Sequence, residues 1–369
     1  MQALSILIKP VSSSCSLDCD YCFYNDLADQ RMTKNYGKMN EATMTVIIKK
    51  AMAAHPRVIS FAFQGGEPML IGLPFYYTFM SLVKKYNTNN IPVFFSIQTN
   101  GYHINDDWID FFKTYRFLVG ISVDGIKAIH NQLRQTKAGK PTFDVIMKNI
   151  EKVKDAEIPF NILCVLTSVT ARYIDEVARF FDQQGFKHIQ YIPCLDRLNR
   201  PREEQKLLMT QEQYSKVLSV LFNRYLTSYL SGSYVSNRLF DNFVGILLGQ
   251  QPEDCSLAGQ CTTYFVIEAN GDVFPCDFYV DDCYLLGSIF EESYASLFHS
   301  DTAKAFRKET VLADDCLDCP FLTLCKGGCK RYKVGGKYAY CEAYQTFFNK
   351  HLHALEILAQ RVKSGQVSG

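Results

Sequence analysis

The stretch Cys15-Ser-Leu-Asp-Cys19-Asp-Tyr21-Cys22 follows the first apolar run of the chain and decides how the rest is interpreted. Its cysteines stand in a C-x3-C-x2-C spacing within a predicted loop. Three closely spaced thiolates can hold three irons of a [4Fe–4S] cube, and the fourth iron then has no protein ligand. An open metal position is what a catalytic centre needs, as catalytic zinc sites show. A zinc site or three structural thiols are the alternatives, but no fourth zinc ligand stands at a suitable spacing.

Composition predicts a cytoplasmic protein with neither nucleic acid nor a membrane as partner. The 369 residues are 47% hydrophobic, and 39 Lys and Arg face 38 Asp and Glu, for a net charge of +1. This balance gives no reason to expect a polyanionic partner. The N-terminal MQALSILIKP has no basic segment and no cleavage site of a signal peptide. No apolar run approaches the roughly 18 residues that span a bilayer.

Fourteen cysteines are unusual for such a protein. A cytosol keeps thiols reduced, so a disulfide framework is a poor explanation. Scattered buried thiols that pack as small hydrophobic side chains are the other simple explanation. Scatter does not produce regular spacings, and the spacings favour metal or cluster binding.

The first half of the chain alternates short apolar runs with amphipathic helical patterns. Runs that are apolar on both faces are typical of buried parallel strands. Six of them with intervening helices predict parallel β/α units in an α/β protein, either an open sheet or a partial barrel. The predicted strands are Leu4–Lys9, Val58–Phe63, Pro92–Gln98, Phe117–Val123, Phe160–Thr167 and His188–Ile192.

The second half changes character twice. Thr210 and Gln213 form a capping-box pattern that opens a helix, and a hairpin with a type I′ turn is predicted at Asn270-Gly271. The segment Cys316–Cys341 is predicted to be loop-like. The expected domains are a barrel at 1–196, a helical connector at 197–250, a cysteine-rich domain at 251–345, and a helix with a disordered tail at 346–369.

Eight more cysteines form a second pattern in the cysteine-rich part. Two zinc sites, or two fully ligated [4Fe–4S] cubes, would both use eight thiolates, and spacing alone does not separate them. The first cysteine motif favours iron. The eight positions are Cys255, Cys261, Cys276, Cys316, Cys319, Cys325, Cys329 and Cys341.

The first motif together with Gly65-Gly66-Glu67-Pro68 resembles the radical S-adenosylmethionine (SAM) superfamily. The resemblance implies a partial (β/α)6 barrel and an open iron that chelates SAM. It also implies SAM contacts from six residues: Tyr21 near the adenine, the Gly66 backbone at the methionine end, Ser122 and Asp124 near the ribose, and Arg134 and Leu195 elsewhere in the pocket.

The second pattern resembles the SPASM extension of peptide-modifying radical SAM enzymes. The resemblance implies two auxiliary [4Fe–4S] clusters and therefore three clusters in all. One would use Cys255, Cys261, Cys276 and Cys329, and the other Cys316, Cys319, Cys325 and Cys341. Three cysteines remain, Cys164, Cys194 and Cys283, of which Cys164 lies in an apolar strand.

Within that group the chain resembles the anaerobic sulfatase-maturating enzymes, with Pro275-Cys276-Asp277-Phe278-Tyr279 as the most specific motif. The resemblance implies oxidation of Cys or Ser in a Cys/Ser-x-Pro-x-Arg segment of a sulfatase to Cα-formylglycine. A 5′-deoxyadenosyl radical would take a hydrogen from Cβ. Asp277 would be the base, and an auxiliary cluster would accept the second electron. The partners implied are an unfolded or peptide-like sulfatase segment and a one-electron donor such as flavodoxin or ferredoxin.

Two other functions share much of this pattern. A SPASM enzyme that forms a thioether, a carbon–carbon link or an epimer in a small peptide could carry the same clusters, although Asp277 argues against it. A zinc-rich scaffold without catalysis is the other. The sequence alone does not choose between Cys-type and Ser-type substrates.

Overall fold

The structure is a computed structural model that describes residues 2–308 and 312–366; the end of the predicted disordered tail, residues 367–369, lies outside them. The chain forms two compact units. The first comprises Met1–Ser122, Asn131–Phe160 and Thr262–Arg307, and the second comprises Val123–His130, Asn161–Cys261 and Lys308–Gly369.

The described residues form fourteen strands and fifteen α-helices, numbered in chain order. The strands β1 to β14 are Ala3–Ile8, Leu17–Cys19, Val58–Phe63, Val93–Thr99, Leu118–Ser122, Arg134–Thr136, Phe160–Leu166, His188–Pro193, Ser236–Asn237, Phe265–Ile267, Asp272–Phe274, Gly287–Ser288, Lys333–Val334 and Lys337–Tyr338. The helices α1 to α15 are Phe23–Gln30, Glu41–Ala53, Leu73–Tyr86, Asp106–Tyr115, Lys127–Leu133, Phe143–Asp155, Ser168–Arg172, Ile174–Gln183, Gln211–Leu230, Arg238–Leu247, Tyr294–His299, Asp301–Arg307, Asp314–Leu317, Leu322–Cys325 and Cys341–Lys363.

The first unit is built on a sheet with the order β12-β11-β10-β1-β3-β4-β5. The strands β10, β1, β3, β4 and β5 run parallel, and β11 and β12 are antiparallel additions. Their residues are largely apolar and buried, as the runs predicted. Because parallel strands end at the same edge, the residues that follow β1, β3 and β4 lie at one edge of the sheet, where α/β proteins place their ligands.

The second unit combines the parallel strands β7, β8 and β9 with a layer of helices. Its core is rich in aromatic side chains from α9, α10 and α15, among them Phe222, Phe240 and Phe347. The predicted capping box of α9 is confirmed. The Thr210 hydroxyl accepts from the Gln213 N–H at 3.1 Å, and the Gln213 side chain accepts from the Thr210 N–H at 2.9 Å.

The predicted hairpin exists between β10 and β11, but the predicted type I′ turn is wrong. Such a turn needs positive φ at both central residues, whereas Asn270 does not have positive φ and Gly271 has φ 96°. The Gly271 N–H donates to the Glu268 carbonyl at 2.9 Å, and the Glu268 N–H donates to the Asp272 carbonyl at 3.0 Å. The connection is therefore a three-residue loop with glycine in the left-handed position, another common hairpin geometry.

The expectation of a loop-like segment from Cys316 to Cys341 is also only partly right, because this segment contains α14 and the two-stranded hairpin β13–β14. These elements are only two to four residues long, too short for a periodic signal in the sequence. In the part of the chain that the structure describes, we find no helix with the length and apolar character of a membrane span.

Candidate functional site

The first cysteine motif lies in the connection between β1 and α1. Cys15, Cys19 and Cys22 are all partly exposed, and the Cys22 N–H donates to the Cys19 carbonyl at 3.0 Å. The Leu17 N–H points at the Cys15 sulfur at 3.4 Å. Thiols on one short loop at the sheet edge, with backbone donors directed at sulfur, suit thiolate ligands of a cluster.

Two predicted SAM residues belong to the same loop region. The short strand β2 pairs with β6, and this pairing sets Cys19 opposite Arg134. The Arg134 guanidinium lies 3.9 Å from the Cys19 sulfur and 5.3 Å from the centre of the Tyr21 ring. The Arg134 guanidinium is therefore held between the Cys19 sulfur and the Tyr21 ring. A planar guanidinium in such a position can bind an anionic group of a ligand.

Gly66 lies in the turn after β3, where a side chain has no room. Its φ is +55°, and a Cβ there would stand 2.1 Å from the Ser14 carbonyl oxygen, just before the first cluster cysteine. Only glycine can bring the two backbones so close. Gly66 therefore sets the turn after β3 directly against the backbone that leads into the cysteine loop, and its contact with SAM stays a prediction.

Glu67, next in the chain, is completely buried and holds the cysteine loop to the end of β4. Its N–H donates to the Ser14 carbonyl at 2.8 Å. Its carboxylate accepts from the Thr99 hydroxyl at 2.9 Å and from the Asn100 N–H at 2.8 Å. Burial raises the pKa of Glu67 to about 7. Sequence analysis noticed the motif but not this structural role.

The remaining predicted SAM residues lie in different environments. Ser122, at the end of β5, accepts a hydrogen bond from the Gln98 side chain at 3.3 Å. In the second unit, the fully buried Asp124 accepts from the Val165 N–H at 3.0 Å. Leu195 is also buried in that unit. Asp124 thus has a structural contact of its own, which sequence analysis had not anticipated.

Asp277 lies in a buried polar cluster of the first unit and is 4% exposed. Its Oδ2 accepts from the Tyr24 hydroxyl at 2.5 Å and from the Gln64 amide at 3.1 Å. Its Oδ1 is buried and has no hydrogen-bond partner among the described residues. Burial raises the pKa of Asp277 to about 6. Asp277 Oδ2 is thus hydrogen-bonded, whereas Oδ1 has no partner among the described residues. A buried carboxylate oxygen of this kind can accept a hydrogen bond from a ligand or take up a proton.

Tyr264 connects Asp277 to the preceding cysteine. The Asp277 N–H donates to the Tyr264 hydroxyl at 2.9 Å, and the same hydroxyl lies 3.6 Å from the Cys276 sulfur. The predicted base and the predicted ligand are therefore joined both through the chain and through one phenol.

A buried ion cluster lies behind Tyr24. Glu268 Oε1 accepts from Lys9 Nζ at 2.6 Å and from Arg31 Nη1 at 2.5 Å, and Glu268 is completely buried. Burial alone would raise the pKa of Glu268, but the two cations outweigh it and lower the pKa. Lys9 Nζ also lies 5.4 Å from the centre of the Tyr24 ring. The cluster fixes the wall on which Tyr24 rests.

In the second unit, Cys316, Cys319, Cys325 and Cys341 line one cavity. Its other walls include Phe321, Leu322, Tyr338, Tyr344 and Phe348. These are the four cysteines that the resemblance assigns to one auxiliary cluster. Four thiols around one hollow suit a cage-like cluster with no open position.

Three of the other four cysteines, Cys255, Cys261 and Cys329, belong to the second unit. Burial raises the pKa of the Cys329 thiol, and the charge on Cys261 raises it further. Burial and nearby charges, among them Cys329 and Cys261, raise the pKa of Cys255 as well. The fourth, Cys276, lies in the first unit.

Across residues 2–308 and 312–366, no group of three or more His, Cys, Asp and Glu side chains is arranged to enclose a single metal ion.

The sequence alone did not identify the hydrogen-bond partners of Asp277, which are Tyr24 and Gln64, or the buried ion cluster of Lys9, Arg31 and Glu268. A signal exists for two of them. Lys9 directly follows the largely apolar strand β1, and Glu268 directly follows the apolar strand β10, which favours burial of both charges beside a partner. Nothing in the sequence pairs them, because they stand 259 residues apart.

Comparison with known families agrees with this geometry. The model of the radical SAM superfamily matches residues 10–181, and that of the SPASM iron–sulfur cluster-binding domain matches residues 255–320. The chain is 43% identical over 367 residues to the cysteine-type anaerobic sulfatase-maturating enzyme of Clostridium novyi (strain NT), with 98% of each chain covered. It is 27% identical to the serine-type enzyme of Bacteroides thetaiotaomicron, covering 98% of this chain and 93% of that one.

Solved structures give the same result. Native anSMEcpe with bound AdoMet and Cp18Cys peptide superposes with a TM-score of 0.92 at 38% identity, over 98% of this chain and 99% of that one. The predicted α/β fold, a radical SAM domain followed by a SPASM domain, is confirmed. The chain therefore belongs to the family of anaerobic sulfatase-maturating enzymes, radical SAM oxidoreductases that use S-adenosylmethionine and [4Fe–4S] clusters.

Proposed function

We propose that this chain oxidises a cysteine in a Cys-x-Pro-x-Arg segment of a sulfatase to Cα-formylglycine, with Asp277 as the base. The observation that carries the base assignment is the buried carboxylate with one oxygen held and the other bare. The preference for cysteine is supported by identity, 43% to a cysteine-type relative against 27% to a serine-type relative.

The proposed reaction balances as follows. The cysteine side chain loses a hydrogen atom from Cβ to the 5′-deoxyadenosyl radical. It then loses the thiol proton to Asp277 and one electron, which an auxiliary cluster would accept, and becomes a thioaldehyde. Water then replaces sulfur, which leaves as hydrogen sulfide, and the aldehyde remains. When bound at Cys15, Cys19 and Cys22, the open cluster and SAM supply the 5′-deoxyadenosyl radical that takes the hydrogen atom.

The residues of the chain have defined parts in this proposal. Asp277 receives the proton on Oδ1. Tyr24 and Gln64 donate to Oδ2 and keep the carboxylate from rotating, so that the bare oxygen stays directed away from them. Because Asp277 is buried away from water, its hydrogen bonds with Tyr24 and Gln64 are strengthened.

The proposed cofactor residues follow the resemblance. Tyr21, Gly66, Ser122, Asp124, Arg134 and Leu195 would hold SAM. The cavity lined by Cys316, Cys319, Cys325 and Cys341 supports one auxiliary cluster, and the set Cys255, Cys261, Cys276 and Cys329 would hold the other. A flavodoxin or ferredoxin would supply the first electron, in the cytoplasm.

The test is anaerobic incubation of the reconstituted enzyme and SAM with two peptides that differ only in Cys or Ser at the target position. Mass spectrometry should find formylglycine from the cysteine peptide, at least about tenfold faster than from the serine peptide. A faster serine reaction would overturn the cysteine preference. A product that keeps its sulfur and carries a new bond between two residues in its fragment spectrum would instead indicate a cross-linking enzyme.

A further inference from the structure

We propose that Asn100 donates an amide hydrogen bond to the Cys15 thiolate and thereby raises the reduction potential of the catalytic cluster, with Glu67 holding Asn100 in place. The inference rests on the proposed ligand role of Cys15. It assigns a positioning and tuning residue beyond the ligands, the SAM contacts and the base.

The contact itself is between Asn100 Nδ2 and the Cys15 sulfur, at 3.8 Å. The same nitrogen lies 3.2 Å from the Ser16 hydroxyl, in the next residue of the loop. Asn100 is 7% exposed, so solvent does not compete strongly for its amide. Its two N–H groups can serve both acceptors at once.

The orientation of the amide is determined by its oxygen. Asn100 Oδ1 accepts from the Tyr102 N–H at 2.9 Å. A flipped amide would set an N–H group against this N–H donor, which is unfavourable. Asn100 Nδ2 therefore faces the Ser16 hydroxyl and the Cys15 sulfur, and it donates to the cysteine loop.

The backbone of Asn100 is fixed by Glu67. The Asn100 N–H donates to Glu67 Oε2, while the Thr99 hydroxyl donates to Oε1. The Glu67 N–H in turn donates to the Ser14 carbonyl, one residue before Cys15. The buried Glu67 carboxylate thus holds the Asn100 backbone, and the Glu67 N–H holds the residue before Cys15, so that one residue fixes both the donor and its acceptor.

The effect on potential follows from charge. One-electron reduction adds a negative charge to a cluster that thiolates already make anionic, and donors to those sulfurs stabilise the added charge. The Leu17 N–H also points at the Cys15 sulfur. Of these two donors to the Cys15 sulfur, Asn100 donates from its side chain, so its effect can be removed by substitution.

The test is redox titration of the reconstituted holoenzyme, followed by electron paramagnetic resonance. The triple variant C15A/C19A/C22A gives the auxiliary signals alone, and its spectrum is subtracted to isolate the catalytic cluster. Asn100→Leu removes the donor with little change in size. Asn100→Asp keeps an acceptor for the Tyr102 N–H but sets an anionic oxygen toward sulfur. Asn87→Leu is the matched control, because Asn87 also makes two side-chain bonds in this unit, both to the backbone of Ile91.

We expect the ratio of reduced to oxidised catalytic cluster at a fixed ambient potential to fall about tenfold in Asn100→Leu, which equals 59 mV for one electron. It should fall further in Asn100→Asp and stay unchanged in Asn87→Leu. Wild-type potentials in both Asn100 variants at full iron content would overturn the inference. Loss of the catalytic cluster from both would overturn it too, because Asn100 would then serve assembly. Absence of the subtracted signal in the wild-type enzyme would instead refute the ligand assignment itself.

Discussion

Replacement of Asp277 by Asn should separate SAM cleavage from product formation. The amide oxygen of the new side chain can still accept from Tyr24 and Gln64, which hold Oδ2 in the native structure. The amide nitrogen then takes the place of the bare oxygen, where no described residue needs a donor or an acceptor. The substitution therefore removes the base and leaves the local hydrogen bonds intact.

The expected loss is large. Removal of a general base typically slows a reaction by about 10²- to 10⁴-fold, which corresponds to about 2.7–5.5 kcal/mol in the barrier. Hydrogen abstraction from Cβ needs only the radical and a positioned substrate. The 5′-deoxyadenosine yield with peptide present should therefore change much less than the formylglycine yield.

The assay measures both products by mass spectrometry in one anaerobic time course, with iron measured on the same sample. Asp281→Asn is the matched control, since Asp281 lies four residues downstream and its carboxylate accepts from the Cys283 N–H at 3.3 Å. Near wild-type formylglycine from Asp277→Asn at full iron content would refute the base assignment. Equal loss of both products would show that the substitution disturbs the radical step instead.

Three further outcomes are expected. The triple variant C15A/C19A/C22A should lower iron from about twelve to about eight per chain and abolish 5′-deoxyadenosine formation; retained cleavage would contradict the open-cluster assignment. Gly66→Ala should reduce SAM cleavage by about 100-fold, since even a shift of about 1 Å in a bound reactant can cost that much, and isothermal titration should show weakened SAM binding. Glu268→Gln leaves two buried cations poorly paired and should destabilise the fold by about 3–5 kcal/mol, measured by denaturant unfolding against the exposed control Asp301→Asn.

Residues close together in sequence made much of this protein predictable. The six strands predicted from apolar runs lie within one residue of their observed bounds at each end, and Val58–Phe63 matches fully. Short, polar elements were missed. Helix α1 buries only Leu27 and Ala28 and has no side-chain cap, so its sequence carries neither a periodic stripe nor a start signal.

The candidate site likewise combines residues that the sequence could predict with residues that it could not. The cysteines could be assigned because ligand spacing is a local property of a loop. The neighbours of Asp277 could not, because Tyr24 and Gln64 reach it from 253 and 213 residues away. The hairpin turn failed for a subtler reason. Asn-Gly suits both a two-residue type I′ turn and a three-residue loop with glycine in the left-handed position. Which of the two forms depends on which residues of the two strands make the last hydrogen-bonded pair before the loop.

The position of β10 beside β1 has a consequence for biosynthesis. Strand β1 lies between β3 and β10, and β10 is made long after it. At about 5–20 residues per second, a ribosome needs about 13–50 seconds to make the intervening chain. Throughout that time one edge of a largely apolar strand is without its partner, and such edges invite pairing with other chains. The first strand of the nascent protein would gain this partner only when the segment that carries β10 and Cys276 emerges.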